Sequence, residues 1–342
     1  MTDSIVYRLP TEDLNEEIPS GATISFVIPA FNEERYIANT LDSIHTALQG
    51  RWSYEILVID NGSTDRTPEL VRTGGGQVLV RKGGTIGSLR NFGAARAKGD
   101  VLVFLDADIT LTAAWLSNFE TVVALFRSLP RVLSGSMCSI PSSPTWLERM
   151  WYAPQVDESL SHLGSAHLII RRDFFTEIGG FDETLETGED YDFSVRVVRS
   201  QGAIHRLSPA VVEHHGFPKT LKQFAMREMW HGTGDSKSLK AVLRSRVATA
   251  ALVFLGLHIL LVISLGFGSV FGSVMAVSAI VLLCVAASLR SYRAQPFPLI
   301  VANSAIYYVY FGARGLSFFP LIAGRRAKSR THGQSGQTVP SA

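Results

Sequence analysis

The chain reads as an α/β nucleotide-binding domain followed by a membrane-spanning helical region. Three observations predict this. Branched apolar runs alternate with helix-spaced apolar patterns over the first two hundred residues. Several of those runs stop at an aspartate, the place where open α/β sheets bind ligands. Charge is also split along the chain. Of 342 residues, 32 are Lys or Arg and 30 are Asp or Glu, but no Asp or Glu follows Asp235. The first 235 residues hold 21 basic against 30 acidic side chains, about −9, and the remainder is about +11. The basic residues flank long uncharged apolar runs instead of interleaving with aromatics in a patch. That pattern points to a membrane and argues against nucleic acid as a partner.

Residues 1–22 are a polar leader. The apolar run Ile24–Ile28 predicts a strand ended by Pro29. Asn32 and Glu33 then open a helix with Ile37, Leu41, Ile44 and Leu48 on one face. Tyr54–Asp60 predicts a strand ending in a carboxylate, followed by the turn Asn61-Gly62-Ser63 and a helix capped by Thr64 or Asp65. Gln77–Val80 is a short strand, and a helix over Leu89–Ala97 stops at Gly99. Val101–Leu105 has no alternation, which marks a strand covered on both faces. It runs into Asp106-Ala107-Asp108, two carboxylates suited either to capping a turn or to holding a hard divalent cation.

Leu111–Leu129 predicts a helix, and residues 134–144 are turn-rich. His167–Ile170 is a strand and Arg172–Ile178 a helix closed by Gly179 and Gly180. Gly188-Glu189-Asp190 starts another helix. The acids there suit the helix dipole, and equally suit a catalytic base with its partner. Ala210–His215 is a late strand whose histidine pair, His214 and His215, offers a third metal ligand. No G-x-G-x-x-G follows the first strand, and Gly83–Ser88 lacks the Gly-Lys-Ser/Thr ending of a P-loop. A dinucleotide enzyme and a P-loop NTPase are therefore unsupported.

Taken in order, Pro29-Ala30-Phe31-Asn32-Glu33, Asp60-Asn61-Gly62-Ser63-Thr64-Asp65, Arg90-Asn91, Asp106-Ala107-Asp108 and Gly188-Glu189-Asp190 resemble the motifs of family-2 glycosyltransferases of the GT-A fold. The resemblance spans roughly residues 22–216 and implies a Rossmann-like mixed sheet, an inverting mechanism and a nucleotide-diphosphate sugar donor. It implies that Pro29, Ala30, Phe31 and Glu33 hold the nucleoside, and that Asp60 meets the base or ribose. Arg90 would lie near the donor phosphates. Asp106, with Ala107 in the same motif, would contact ribose or metal, and Asp108 would ligate Mn²⁺ or Mg²⁺. Asp190 would be the general base, with Glu189 as the alternative, and His214 or His215 would complete the metal site. Processive members carry Gln-x-x-Arg-Trp. Here Gln223, Arg227 and Trp230 are spaced differently, which speaks for a non-processive enzyme. Arg227 and Trp230 are candidates for the acceptor, or belong to an amphipathic juxtamembrane helix resting Leu221, Phe224, Met229 and Trp230 on lipid.

The domain boundaries follow: the glycosyltransferase domain over 23–217, a juxtamembrane segment over 218–246, a transmembrane region over 247–323 and a basic disordered tail over 324–342. Val247–Phe267 and Ser269–Leu289 each suffice to span a bilayer, and Arg244, Arg246, Arg290 and Arg293 put both outer ends in the cytoplasm. A third run, Phe297–Ile322, holds Asn303, Arg314 and Pro320 and reads equally as a span or an interfacial segment. The first 20 residues hold no apolar signal region, which with two cysteines, Cys138 and Cys284, places the globular part in the cytoplasm, on the inner or plasma membrane. The expected partners are the sugar donor and a lipid-linked or other amphiphilic acceptor. A polysaccharide synthase and an inactive membrane scaffold are the alternatives.

Overall fold

The structure is a computed structural model that describes residues 23–48, 50–153, 162–235, 242–243, 245–292 and 295–318. The leader, the basic tail and part of the juxtamembrane segment lie outside the described residues. The chain forms two compact units. The first contains residues up to 141 and from 162 to 216, and the second contains 142–153 and the described residues from 217 onward. The segment that follows Pro141 thus groups with the helical unit instead of the α/β unit.

Unit 1 is built on a seven-stranded mixed sheet. In chain order it holds β1 (Ile24–Ala30), α1 (Ile37–Leu48), β2 (Tyr54–Asp60), α2 (Thr67–Thr73), β3 (Gln77–Val80), α3 (Ile86–Ala94), β4 (Val101–Leu105), β5 (Ile109–Leu111) and α4 (Trp115–Ser128). It continues with β6 (Val132–Gly135), β7 (His167–Arg171), α5 (Arg172–Ile178), α6 (Glu189–Arg199), β8 (Ala203–Arg206) and β9 (Val212–His214). The large sheet has the order β3-β2-β1-β4-β7-β6-β8. The first four strands are parallel, and β7 runs antiparallel to both β4 and β6.

Strand β4 lies at the centre with every residue buried, as its unbroken apolar run requires. Val101, Val103 and Leu105 pack on one side with Leu41 of α1 and Phe119 of α4. Leu102 and Phe104 pack on the other with Leu89 of α3, Phe175 of α5 and Phe193 of α6.

Several local readings are corrected. Strand β1 runs through Pro29 to Ala30 because β4 pairs with it only over Ile24–Val27, so the missing N–H of Pro29 falls beyond that ladder. Helix α1 begins at Ile37 because Asn32 is left-handed (φ 57°) and starts a turn. Helix α3 begins at Ile86, where Thr85 accepts a hydrogen bond from the Ser88 N–H, and ends by Ala94. The stretch at Leu111 belongs to β5, so α4 starts at Trp115. Strands β6 and β8 are short and lack a period-two pattern, and tertiary pairing creates them.

Unit 2 is helical. It holds a π-helical turn (Glu148–Tyr152), α7 (Leu221–Asp235), α8 (Arg246–Gly266), α9 (Val270–Tyr292) and α10 (Phe297–Leu316). Its core is aromatic: Trp151 meets Phe224, Tyr307 and Tyr310, and the Tyr292 hydroxyl donates to the Trp151 carbonyl at 3.0 Å. Phe224 is fully buried there and does not face lipid, whereas Leu221, Met229 and Trp230 are exposed. Glu148 is buried and paired with Lys219. Burial alone would raise its pKa, but Lys219 and the Thr145 N–H and hydroxyl bring it below the ordinary value. Among the described residues, α8 and α9 are long and apolar enough to cross a membrane.

Candidate active site

The site forms where β4 ends. The Asp106 carbonyl accepts from the Ile109 N–H at 3.2 Å, which turns the chain directly into β5. Strand β5 pairs antiparallel with β9, and the register sets Ile109 opposite His214. One step on, the His215 N–H donates to the Asp108 carbonyl at 2.9 Å. A two-stranded ribbon thus returns the histidine pair to the second carboxylate, from more than a hundred positions away in the chain.

Neighbouring strand residues face opposite ways, so the two histidines part company. His214 Nε2 lies 3.7 Å from Asp108 Oδ2, both side chains being largely buried. His215 Nε2 instead meets the Thr110 hydroxyl at 2.8 Å. Gly216 borders the same carboxylate: a Cβ there would fall 1.7 Å from Asp108 Oδ2, so only glycine leaves that oxygen its place.

An imidazole nitrogen and a carboxylate oxygen at this separation can both reach a single cation at about 2.1 Å each. No group of three His, Cys, Asp or Glu side chains suited to a metal occurs among the described residues. Asp108 and His214 offer two donors, a carboxylate oxygen and an imidazole nitrogen, whose chemistry suits a divalent cation.

Asp106 is engaged differently. Arg90 of α3 is almost completely buried, and its Nη2 donates to Asp106 Oδ1 at 2.6 Å. Its Nη1 donates to Glu189 Oε1 at 2.9 Å. Burial opposes the guanidinium charge, but Asp106 and Glu189 outweigh it and raise the Arg90 pKa. Glu189 is 6% exposed and also accepts from the Ser165 hydroxyl at 3.0 Å. Asp190, the next residue, is only partly buried, and its Oδ1 accepts from the Tyr191 N–H at 2.8 Å. The adjacent acids therefore differ: Glu189 is tied into the protein, and Asp190 borders solvent at the first turn of α6. Gly188 precedes them with φ 81°, a conformation that suits glycine.

The loops after β1 and β2 are stitched together beside this region. Asp60 is buried and its carboxylate accepts from the Gly62 and Ser63 N–H groups at 3.1 and 3.2 Å. The Asn32 N–H donates to the Ser63 hydroxyl at 2.9 Å, and its side-chain oxygen accepts from the Thr64 N–H at 2.8 Å. The Glu33 N–H donates to the Thr67 hydroxyl. Pro29 and Ala30 are buried at the end of β1, and Phe31 is half-buried. The Ala107 carbonyl accepts from the Thr40 hydroxyl at 2.7 Å, anchoring the Asp106-Ala107-Asp108 turn on α1.

Arg227 and Trp230 lie in unit 2. The Arg227 guanidinium stands over Tyr152 at 5.5 Å and Phe217 at 5.9 Å, and its Nε donates to His231 at 3.4 Å. Burial, then Arg227 and Arg314, push the His231 pKa down to about 4. Gln223 Oε1 accepts from the Lys219 and Thr220 N–H groups at the start of α7.

Three residues at the site carry no sequence signal of their own. Ser165 and Gly216 are defined only by what surrounds them. Cys138 sits near Asp106 and Asp108, and burial together with those carboxylates raises its thiol pKa well above the ordinary value.

Parallel β3-β2-β1-β4 strands, an antiparallel β7 and carboxylates at the end of β4 define an α/β domain of the GT-A type. Residues 25–135 match the glycosyl transferase family 2 model. The pre-mycofactocin glycosyltransferase of Mycobacterium tuberculosis is 28% identical over 281 residues, covering 76% of this chain and 57% of that protein. Glycosyltransferase AglE of Haloferax volcanii is 28% identical over 185 residues, covering 51% of this chain and 60% of that protein. The chain thus spans little more than half the length of these relatives. Among solved structures, GalNAc-T7 with UDP, GalNAc and Mn²⁺ is similar over 63% of this chain and 51% of that chain, with 18% identity and a TM-score of 0.46.

Proposed function

We propose that the chain is an inverting glycosyltransferase that moves a sugar from a nucleotide-diphosphate donor to a lipid-linked or other amphiphilic acceptor at the cytoplasmic face of a membrane. The observation that supports this most is the pairing of Asp108 with His214 at the end of β4, while the Arg90 pair fixes the neighbouring Asp106 and the start of α6.

Asp108 and His214 would hold a Mn²⁺ or Mg²⁺ ion. When bound, that ion supplies positive charge where negative charge grows on the departing diphosphate. Asp190 takes the proton of the acceptor hydroxyl as the hydroxyl oxygen bonds to the anomeric carbon. The bond from that carbon to the diphosphate oxygen breaks, and the nucleoside diphosphate leaves with the electron pair. Glu189 keeps its carboxylate on Arg90 and Ser165, so its part is to place Asp190. Arg90 acts through Asp106 and Glu189, a role distinct from the donor-phosphate contact that the family resemblance implies. The turn held by Asp60 and the end of β1 at Pro29, Ala30, Phe31 and Glu33 would receive the nucleoside.

The membrane assignment rests on the two apolar helices. Gln223 caps its own helix, which adds nothing to a processive reading. The test is an incubation of membranes holding the protein with labelled nucleotide sugars and Mn²⁺, with and without EDTA. Transfer to a lipid-extractable product that stops with EDTA and with Asp190→Asn is expected. Transfer undiminished in Asp190→Asn would overturn the mechanism, and long polymer would overturn the non-processive reading.

A further inference from the structure

Helix α10 follows α8 and α9 and is itself long and mostly apolar, so the number of membrane crossings turns on its direction. A third span would leave the end of α9 and run back antiparallel to it. Partners on α9 would then fall in number as those on α10 rise. The same span would run parallel to α8, and partners there would rise together.

Both relations are reversed. The Ser288 hydroxyl donates to the Ile300 carbonyl at 2.8 Å, and the Tyr307 hydroxyl donates to Ser291 Oγ at 2.7 Å. The Tyr307 ring also lies 6.4 Å from Tyr292. Partners on α9 and α10 therefore rise together. On α8, His258 Nε2 meets the Tyr308 hydroxyl at 3.0 Å, while Phe254 faces Phe311 at 5.9 Å. A Cβ on Gly312 would come 3.8 Å from Phe254. Here partners fall from His258 to Phe254 over Tyr308–Gly312, and Gly315 then packs on Leu255, so α10 crosses α8 steeply and does not climb it.

Helix α10 thus heads toward the charged, outer end of the α8–α9 hairpin, and it arrives at α7. There Arg314 Nη2 lies 3.0 Å from Glu228 Oε2, and Gly232 packs on Ser317. Its named partners reach only to His258 on α8, about 18 Å along the axis from Arg246. The far end of the hairpin is left bare: Leu265, Phe267, Val270 and Phe271 are 63–86% exposed.

We infer that the chain crosses the membrane twice, that α10 is a tilted helix at the cytoplasmic interface returning to α7, and that the bare end of the hairpin is the surface that lipid covers. This rests on the membrane reading above. It places Arg314 on the same side as Arg246 and Arg290, in line with the positive-inside rule.

The test uses single reporter cysteines in full-length Cys138→Ser/Cys284→Ser protein, labelled with a membrane-impermeant maleimide in sealed vesicles of either orientation. The reporters are Glu120→Cys on exposed α4, Ser269→Cys between α8 and α9, and Ser329→Cys beyond α10. The expected result is Ser329→Cys labelled from the side of Glu120→Cys, and Ser269→Cys only from the opposite side. Ser329→Cys labelled with Ser269→Cys, opposite Glu120→Cys, would show a third span and overturn the inference alone. All three labelled from one side would overturn the membrane reading itself.

Discussion

Arg90 Nη1 lies 2.9 Å from Glu189 Oε1, a contact between residues 99 positions apart. The same guanidinium holds Asp106, so one buried cation joins the end of β4 to the first turn of α6. Removing it strands Glu189 as an unpaired buried charge. Arg90→Ala should cost about 3–5 kcal/mol of stability, read as a fall in the denaturant midpoint of the detergent-solubilised protein. Arg90→Lys keeps the charge but cannot fork to two carboxylates. It should fold, with kcat lowered at least ~10-fold and KM for the donor little changed. Unaltered kinetics in a folded Arg90→Lys protein would contradict the positioning role.

The adjacent acids on α6 should separate cleanly. Asp190→Asn removes the proton acceptor but no ion pair, so kcat should fall by ~10²–10⁴-fold while the melting temperature stays within a degree or two. Glu189→Gln weakens the Arg90 pair and should lower both stability and kcat. Equal loss of stability in the two variants would argue against their division of labour.

Metal binding should follow the β5–β9 register. His214→Ala and Asp108→Asn should each weaken Mn²⁺ binding by ~10-fold or more, measured directly by the Mn²⁺ electron paramagnetic resonance signal without turnover. His215→Ala, whose imidazole meets Thr110, should leave Mn²⁺ binding close to that of the parent protein. The reverse ranking of the two histidines would show that the ion sits elsewhere.

His167 predicts an acid-sensitive fold. It is fully buried on β7, its Nε2 accepting from the Trp115 indole N–H at 3.0 Å and its Nδ1 meeting the Ser136 hydroxyl at 2.8 Å. With the indole able only to donate, the proton sits on Nδ1. Burial pushes the His167 pKa down to about 3, below its ordinary value of 6.5. The unfolded chain therefore binds a proton that the folded chain refuses. Stability is complete above about pH 6.5 and falls as the pH drops toward 3, by up to ~1.4 kcal/mol per unit. Denaturation followed by tryptophan emission at pH 7 and pH 5 should show this loss, and His167→Gln should flatten it.

The main strands of the α/β unit were legible because their apolar runs are long enough to reveal burial on both faces. The strand-end acids Asp60, Asp106 and Asp108 were legible because a carboxylate directly after such a run ends the apolar strand and must find polar partners, as Asp60 does in the Gly62 and Ser63 N–H groups. Strands β6 and β8 were not, since four residues without alternation take their conformation from pairing partners. The choice between His214 and His215 was also out of reach, because it depends on the parity of the β5–β9 register. Burial and pairing likewise distinguish Glu189 from Asp190, which share one sequence context.

By itself, then, the sequence determined the class of fold, the position of acids at strand ends and the presence of two apolar helices fit to cross a bilayer. These depend on local periodicity and on where charge interrupts it. Only the tertiary structure decided that Arg90 joins Asp106 to Glu189, that His214 rather than His215 faces Asp108, and that α10 turns back toward α7. Each of these is a relation between segments far apart in the chain, created when the hydrophobic core brings them within hydrogen-bond distance.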